Sequence, residues 1–159
     1  APAGRRRGAT AAAAGAGAAG VLFLASRRVC RGRWLALFSS GLFALNPVVW
    51  RYSTQAEVFP LNNLLCAALL HLTLCYQQSP LPSTARLGAF VIGLGITNQH
   101  TLVLFAAPLC LGVVARNPAA VLRPREFLVL SLCLLGGLLP LAYLPLATSQ
   151  APYVSWGEG

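Results

Sequence analysis

Residues 87–115 read LGAFVIGLGITNQHTLVLFAAPLCLGVVA, two apolar runs separated by a polar step at residues 97–101. The whole stretch is too long for one untilted transmembrane helix, which needs about 20 residues. Consecutive polar side chains with unmet hydrogen bonds are not stable in lipid. The stretch is therefore either one tilted helix whose polar step faces the protein interior, or two short helices that meet at a polar turn.

The composition of the whole chain indicates a membrane protein. Of its 159 residues, 57% are hydrophobic and 9% are charged, and the mean hydropathy is +0.67. A water-soluble protein of this size needs a larger charged fraction and a smaller hydrophobic fraction. The net charge of +9 comes from arginine, because the chain contains no lysine. These arginines cluster between apolar runs without interleaved aromatic residues, so we interpret them as topology signals and expect no nucleic-acid partner.

The sequence predicts an all-α membrane protein, a multi-span helical bundle. The apolar runs predict approximate spans at residues 9–26, 34–50, 58–76, 87–97 with 101–115, and 127–147. The first of these is the weakest, because its first half consists mainly of alanine and glycine, which contribute little transfer free energy.

The arginine distribution favours two short crossings within residues 87–115. If the loop at 27–33 is cytoplasmic, two crossings also place Arg116, Arg123 and Arg125 in the cytoplasm, as the positive-inside rule requires. A single crossing places them on the far side. With two crossings, residues 53–57, 98–100 and 155–158 share the lumenal side, although the N-terminal arginines 5–7 then also lie there, against the rule.

One acidic residue lies between two apolar runs. Glu57 belongs to the polar string WRYSTQAEVFPLNN at residues 50–63, and the chain has only three acidic residues. A carboxylate at the edge of hydrocarbon is costly without a partner or a water-filled cavity, so Glu57 is a candidate functional residue. The alternative is an interfacial carboxylate that is wetted by headgroups or paired with Arg51.

Cofactor chemistry is not indicated. The five cysteines form no close pair, and four of them lie inside apolar runs, where a cysteine behaves as a small hydrophobic residue. His71 and His100 are far apart and lack companions for a zinc site. We expect no metal.

Four motifs stand in a fixed order along the chain and together resemble a known family. They are Trp50-x-x-Ser53-x-x-Ala56-Glu57-Val58-Phe59-x-Leu61-Asn62-Asn63, then Gly93-Leu94-Gly95 with Thr97-Asn98-Gln99-His100-Thr101, then residues 136–145 (GGLLPLAYLP), then Ser155-Trp156-Gly157. In combination they resemble the protein O-mannosyltransferases related to transmembrane protein 260, in the C-type glycosyltransferase superfamily. The resemblance runs from about Val21 to the end of the chain.

The resemblance implies a multi-pass enzyme of the endoplasmic reticulum membrane. Such an enzyme transfers mannose from a lipid-linked donor, dolichol-phosphate mannose, to Ser or Thr of immunoglobulin-like domains in receptor ectodomains. Its partners are membrane lipid and a glycoprotein acceptor, and it needs no cofactor. The family carries its main carboxylate in an Asp-containing lumenal loop, and this chain contains no Asp. We therefore expect an incomplete, inactive piece of a longer enzyme whose main catalytic carboxylate lies upstream.

Several residues suit the chemistry that this transfer requires. Glu57 can act as the base or bind sugar hydroxyls. Arg51 offers paired donors to phosphate, but a plain interfacial arginine fits equally. Asn62 binds sugar or a neighbouring helix.

The remaining candidates lie in the polar step and near the end of the chain. Asn98, Gln99 and His100 offer donors to phosphate or sugar, or satisfy backbone groups at a helix break. Trp156 stacks on a sugar ring, or anchors the chain at the membrane interface.

Two other classes of protein remain open from the residues alone. A multi-span transporter also uses broken helices and buried polar groups, but it should show repeated half-motifs, and none repeats here. A non-catalytic membrane subunit is the third possibility.

Overall fold

The computed structural model describes residues 2–54 and 58–150, and in these residues it contains helices and no strand. In chain order the helices are α1 (Pro2–Val29), α2 (Arg33–Ala44), α3 (Pro47–Thr54), α4 (Phe59–Gln78), α5 (Pro82–Asn98), α6 (Leu102–Arg116), α7 (Pro118–Val121) and α8 (Pro124–Gln150). The described part of the chain is all-α, as the sequence predicts.

Three helical segments are long and apolar enough to cross a membrane. They are Gly8–Val29, Phe59–Gln78 and Pro124–Tyr143, and the shorter α6 is also apolar. The chain is thus an all-α membrane protein. The exact limits of each span stay a prediction.

Residues 87–115 form parts of two helices that meet at the polar step. The amide of Gln99 still bonds to the carbonyl of Gly95, at 2.8 Å, and ends α5. The Gln99 carbonyl then accepts from the amide of Leu102, at 3.1 Å, as α6 begins. The polar side chains thus lie at a turn, where backbone groups need partners.

The predicted span at 34–50 is not one continuous helix. The helix α2 ends at Ala44, and α3 begins at Pro47. Proline has no amide hydrogen and disfavours helical geometry in the residue before it, which is Asn46. The Asn46 side chain caps the new helix by accepting from the amide of Val48, at 2.9 Å.

Several small residues are buried, and many large apolar residues are exposed. Alanines at 11, 18 and 25 of α1 are buried at helical spacing, whereas Leu139 of α8 is 68% exposed. This inverts the pattern of a soluble protein. It fits a bilayer, where lipid solvates large apolar side chains and helices associate through close contact of small ones. A compact core lies between α4, α5 and α6 and contains Leu65, Leu69, Leu102 and Ala106.

Contacts along the helices fix their relative directions. The helix α1 runs parallel to α4, since Gly17 lies against Leu64 and Arg28 bonds to Gln78. The segment formed by α2 and α3 runs antiparallel to α1. The helix α5 returns antiparallel to α4, α6 runs parallel to α4, and α8 runs parallel to α5.

The parallel helices α5 and α8 approach each other at two glycines. A Cβ added at Gly93 would meet the carbonyl oxygen of Leu134 and would lie 3.0 Å from Cα of Gly137. Gly93 is therefore a position where the two helix backbones pack closely. Gly88 does not pack closely, because a Cβ there would meet nothing within 4 Å.

Candidate functional site

Four helix termini meet at one end of the bundle, which we call the polar end (residues 51–53, 58–63 and 97–101). They are the last turn of α3, the first turn of α4 and the turn between α5 and α6. The structure therefore places Arg51, Asn62, Asn98, Gln99 and His100 at the same end. Glu57 and Trp156 lie outside the described residues.

The carbonyl oxygen of Val58 joins two of these termini. It accepts from the backbone amide of Asn62, at 3.1 Å, and from Nδ2 of Asn98, at 3.2 Å. The first bond belongs to the start of α4, and the second comes from the end of α5. The side chain of Asn98 thus holds the α5–α6 turn against the start of α4, so Asn98 has a positioning role here.

An aromatic contact spans the segment that contains Glu57. The rings of Tyr52 and Phe59 lie 4.8 Å apart between centroids, at an interplanar angle of 44°. This separation is typical of a favourable tilted aromatic pair. It ties the end of α3 to the start of α4 on either side of residues 54–57.

Two buried amide oxygens at the polar end have no hydrogen-bond partner within the described part of the chain. They are Oδ1 of Asn62 and Oε1 of Gln99. The amide nitrogen of Asn62 makes a weak contact, 3.9 Å, with Sγ of Cys66. A buried acceptor without a donor costs about 1–3 kcal/mol, so each oxygen is a position where a hydroxyl donor would be stabilised.

Arg51 and His100 are both exposed at the polar end. Arg51 lies in the last turn of α3 and carries the permanent positive charge of this end. His100 uses its carbonyl to accept from the amide of Val103, at 3.1 Å, so its backbone satisfies the start of α6. Its exposed ring stays available to a ligand.

His71 lies within α4, far from this end. Its Nε2 lies 3.5 Å from Sγ of Cys75 in the same helix, and its Nδ1 is buried without a partner in the described residues. The described contact of His71 lies within its own helix, because residues i and i+4 share a helix face.

The opposite end of the bundle carries the arginines, and we call it the arginine end (residues 27–33, 78–86 and 116–126). Here Arg86 of α5 forms an ion pair with Glu126 of α8, with Nη2 at 2.7 Å from Oε1. Arg116 donates through Nε to the carbonyl of Gln77, at 3.0 Å. The sequence reading of Arg86 as a topology signal missed this pair, since 40 residues separate its partners.

An apolar cavity of about 450 Å³ lies between α4, α5, α6 and α8 in the half of the bundle next to the arginine end. Leu72 of α4, Gly88 of α5, Val113 of α6 and Leu130 of α8 are among its lining residues. The cavity is separate from the polar end. Nothing in the sequence pattern indicates it, because its walls come from helices that are distant along the chain.

The described residues contain no group of three His, Cys, Asp or Glu side chains that could hold a metal ion. The described side chains of the polar end offer amides, an imidazole, a guanidinium and several hydroxyl groups. These groups suit a ligand that carries hydroxyl groups and an anionic oxygen.

Comparison with known proteins identifies relatives of the chain. Residues 9–121 match the family model described as the protein O-mannosyl-transferase TMEM260 N-terminal domain. The protein O-mannosyl-transferase TMEM260 of Mus musculus is 33% identical over 155 residues, which cover 91% of this chain and 21% of the mouse protein. The corresponding protein of Dictyostelium discoideum is 35% identical over 88 residues, 47% of this chain and 11% of that protein.

This chain thus spans about a fifth of the length of the mouse relative. No solved structure matches it significantly.

Proposed function

This chain belongs to the family of the protein O-mannosyl-transferase TMEM260 N-terminal domain, and we propose that it forms part of a membrane-bound protein O-mannosyltransferase. The donor we propose is a mannosyl phospholipid of the dolichol-phosphate type, and the acceptor is a Ser or Thr hydroxyl of a glycoprotein, such as a receptor ectodomain. The enzyme would act in the membrane of the endoplasmic reticulum.

The observation that carries this proposal is that two buried oxygens at the polar end, of Asn62 and Gln99, have no hydrogen-bond partner among residues 2–54 and 58–150. A sugar presents several hydroxyl donors, and each can complete one of these acceptors. The nearby guanidinium of Arg51 complements the phosphate of a lipid-linked donor, since it offers charge and paired N–H groups. His100 adds an exposed imidazole to this polar surface. Asn98 contributes indirectly, because its side chain holds the α5–α6 turn against the start of α4.

The transfer exchanges two bonds at the anomeric carbon of mannose. A carboxylate accepts the proton of the acceptor hydroxyl, and the oxygen forms a bond to that carbon. The bond from the carbon to the phosphate oxygen breaks, and the electron pair leaves on the phosphate, where positive charge stabilises it. Glu57, which lies between α3 and α4 in the sequence, is the carboxylate that this chain offers, together with the carboxylate expected in an upstream loop.

The proposal can be tested in a chimera in which this chain replaces the matching segment of the mouse protein. We expect Gln99→Leu and Asn62→Leu each to lower kcat/KM for mannosyl transfer by at least roughly tenfold, about 1.4 kcal/mol. Both variants should keep their thermal unfolding midpoint or raise it, because each removes a buried acceptor that has no donor.

The control is Gln78→Leu, the same change at the exposed arginine end; it removes two hydrogen bonds to Arg28, so the unfolding midpoint should fall slightly, whereas transfer by the folded protein should be unchanged. If the oxygens instead bond to another part of the protein, the two leucine variants would lose stability. That result, or full activity in both variants, would refute the sugar-binding role.

A further inference from the structure

The cavity next to the arginine end has the properties of a site for a lipid chain. It encloses about 450 Å³, within the range of roughly 300–1,000 Å³ that is typical of ligand sites. Most of its lining side chains are aliphatic. The hydroxyl of Ser131, one of the few polar lining groups, already donates to the carbonyl of Phe127, at 2.9 Å. The wall therefore offers apolar contact and little hydrogen bonding.

The shape of the cavity follows from the helix arrangement. On α5 the lining residues extend from Thr84 to Ile92, and on α8 from Phe127 to Leu135. Each of these stretches rises about 12 Å at 1.5 Å per residue. Gly88 forms part of the wall on α5 and leaves open space, since a Cβ there would meet nothing within 4 Å.

A transmembrane helix is too large to fill this space. A helix that crosses the bilayer is about 30 Å long and about 10 Å wide, whereas the lining stretches of α5 and α8 rise only about 12 Å. A neighbouring helix can lie across the mouth of the cavity, but a narrow, flexible chain is needed to occupy its interior.

Two exposed arginines at the adjacent end favour a lipid with an anionic headgroup. Arg123 and Arg125 flank the start of α8 and are exposed, next to the lining residues Leu122 and Phe127. The single acidic side chain of the described residues, Glu126, is already paired with Arg86. The guanidinium groups of Arg123 and Arg125 therefore remain as positive charge at this end. Such arginines attract an anionic leaflet by about 1 kcal/mol each.

We propose that this cavity binds one acyl chain of an anionic glycerophospholipid, whose phosphate lies against Arg123 and Arg125. The lipid enters from the leaflet at the arginine end. This site lies between α4, α5, α6 and α8. It is distinct from the polar end, where the sugar donor is proposed to react.

The test uses the chimera in vesicles of phosphatidylcholine that contain a small fraction of phosphatidylserine with a photoreactive acyl chain. Peptide mapping after illumination should locate the label on the first three turns of α8 and on α6. Gly88→Leu should reduce labelling several-fold, because its side chain extends into the cavity. The matched control is Gly20→Leu, at a glycine of α1 whose added Cβ likewise meets nothing within 4 Å, and it should label normally.

A second pair of variants tests the headgroup. Arg123→Gln with Arg125→Gln should lower labelling by about fivefold per arginine, the equivalent of the 1 kcal/mol attraction. Arg27→Gln with Arg31→Gln removes the same charge from another loop at this end and should have little effect on the mapped site.

Three outcomes would overturn the proposal. One is equal labelling by a photoreactive phosphatidylcholine, which would show that the headgroup is not selected. Another is displacement of the label by a polyprenyl phosphate but not by phosphatidylserine, which would assign the cavity to a donor lipid. The third is absence of label from the cavity walls, as expected if another segment of the protein seals the mouth.

Discussion

Arg86 and Glu126 form a two-point ion pair between the first turns of two parallel helices. Nη2 lies 2.7 Å from Oε1, and Nε lies 3.2 Å from Oε2. Glu126 also lies in the first turn of α8, where the helix dipole favours negative charge. Gly93, seven residues after Arg86 on α5, lies against Leu134 and Gly137, which are eight and eleven residues after Glu126 on α8. The ion pair thus sets the register in which the two helices pack.

The first prediction concerns this ion pair. Glu126→Gln in the chimera should lower the free energy of unfolding by about 1 kcal/mol or less, because the Arg86 side chain is 39% exposed and water screens the pair. Thermal unfolding in detergent measures the change. Arg125→Gln, which removes a neighbouring exposed charge of the same helix, should shift the midpoint less. An equal shift in both variants would show that the pair does not stabilise the contact.

The second prediction concerns the glycine contact. Gly93→Ala should destabilise the chimera by about 1–3 kcal/mol, since the added methyl group overpacks the backbone of α8. Gly88→Ala on the same helix should be neutral or slightly stabilising, because the position is open and alanine favours the helix. Expression level and thermal midpoint report both effects. Normal stability of Gly93→Ala would mean that α5 and α8 do not approach closely.

The sequence predicts those features that arise from neighbouring residues. The polar step at 97–101 lies at a turn because consecutive polar side chains cannot face lipid, and Pro47 explains the break before α3. By contrast, the Arg86–Glu126 pair and the apolar cavity depend on helices that are distant along the chain.

The close packing of a glycine likewise cannot be predicted from its neighbours in the sequence. Gly93 and Gly88 look equivalent in sequence, yet only Gly93 faces a partner backbone. The fold brings together five of the predicted site residues at the polar end: Arg51, Asn62, Asn98, Gln99 and His100. For Glu57 and Trp156, which lie outside the described residues, the sequence hypotheses stay predictions.

The third prediction concerns topology. The helix directions place His100 at the polar end and Ser79 at the arginine end, and both residues are exposed. In a chimera whose native cysteines are replaced, His100→Cys and Ser79→Cys should react with a membrane-impermeant maleimide from opposite sides of sealed vesicles. Reaction of both from the same side would contradict two separate crossings by α5 and α6.

The fourth prediction concerns Glu57. If this carboxylate takes part in the reaction, Glu57→Gln in the chimera should reduce mannosyl transfer by at least roughly tenfold, about 1.4 kcal/mol of transition-state stabilisation. Expression and thermal stability should stay near normal. Retained activity, or loss of activity together with misfolding, would assign Glu57 a structural role.

The last prediction concerns the 159-residue chain by itself. The polar end supplies acceptor groups and positive charge, but the family resemblance assigns the main catalytic carboxylate to an upstream loop. Large apolar side chains of α8, such as Leu128 and Leu139, are exposed in the described structure. Lipid or further helices must cover such side chains, because water cannot solvate them. We therefore expect the purified chain to aggregate readily and to transfer no labelled mannose, whereas the chimera should be active. Transfer by the isolated chain that Glu57→Gln abolishes would overturn the upstream assignment and make Glu57 the catalytic base.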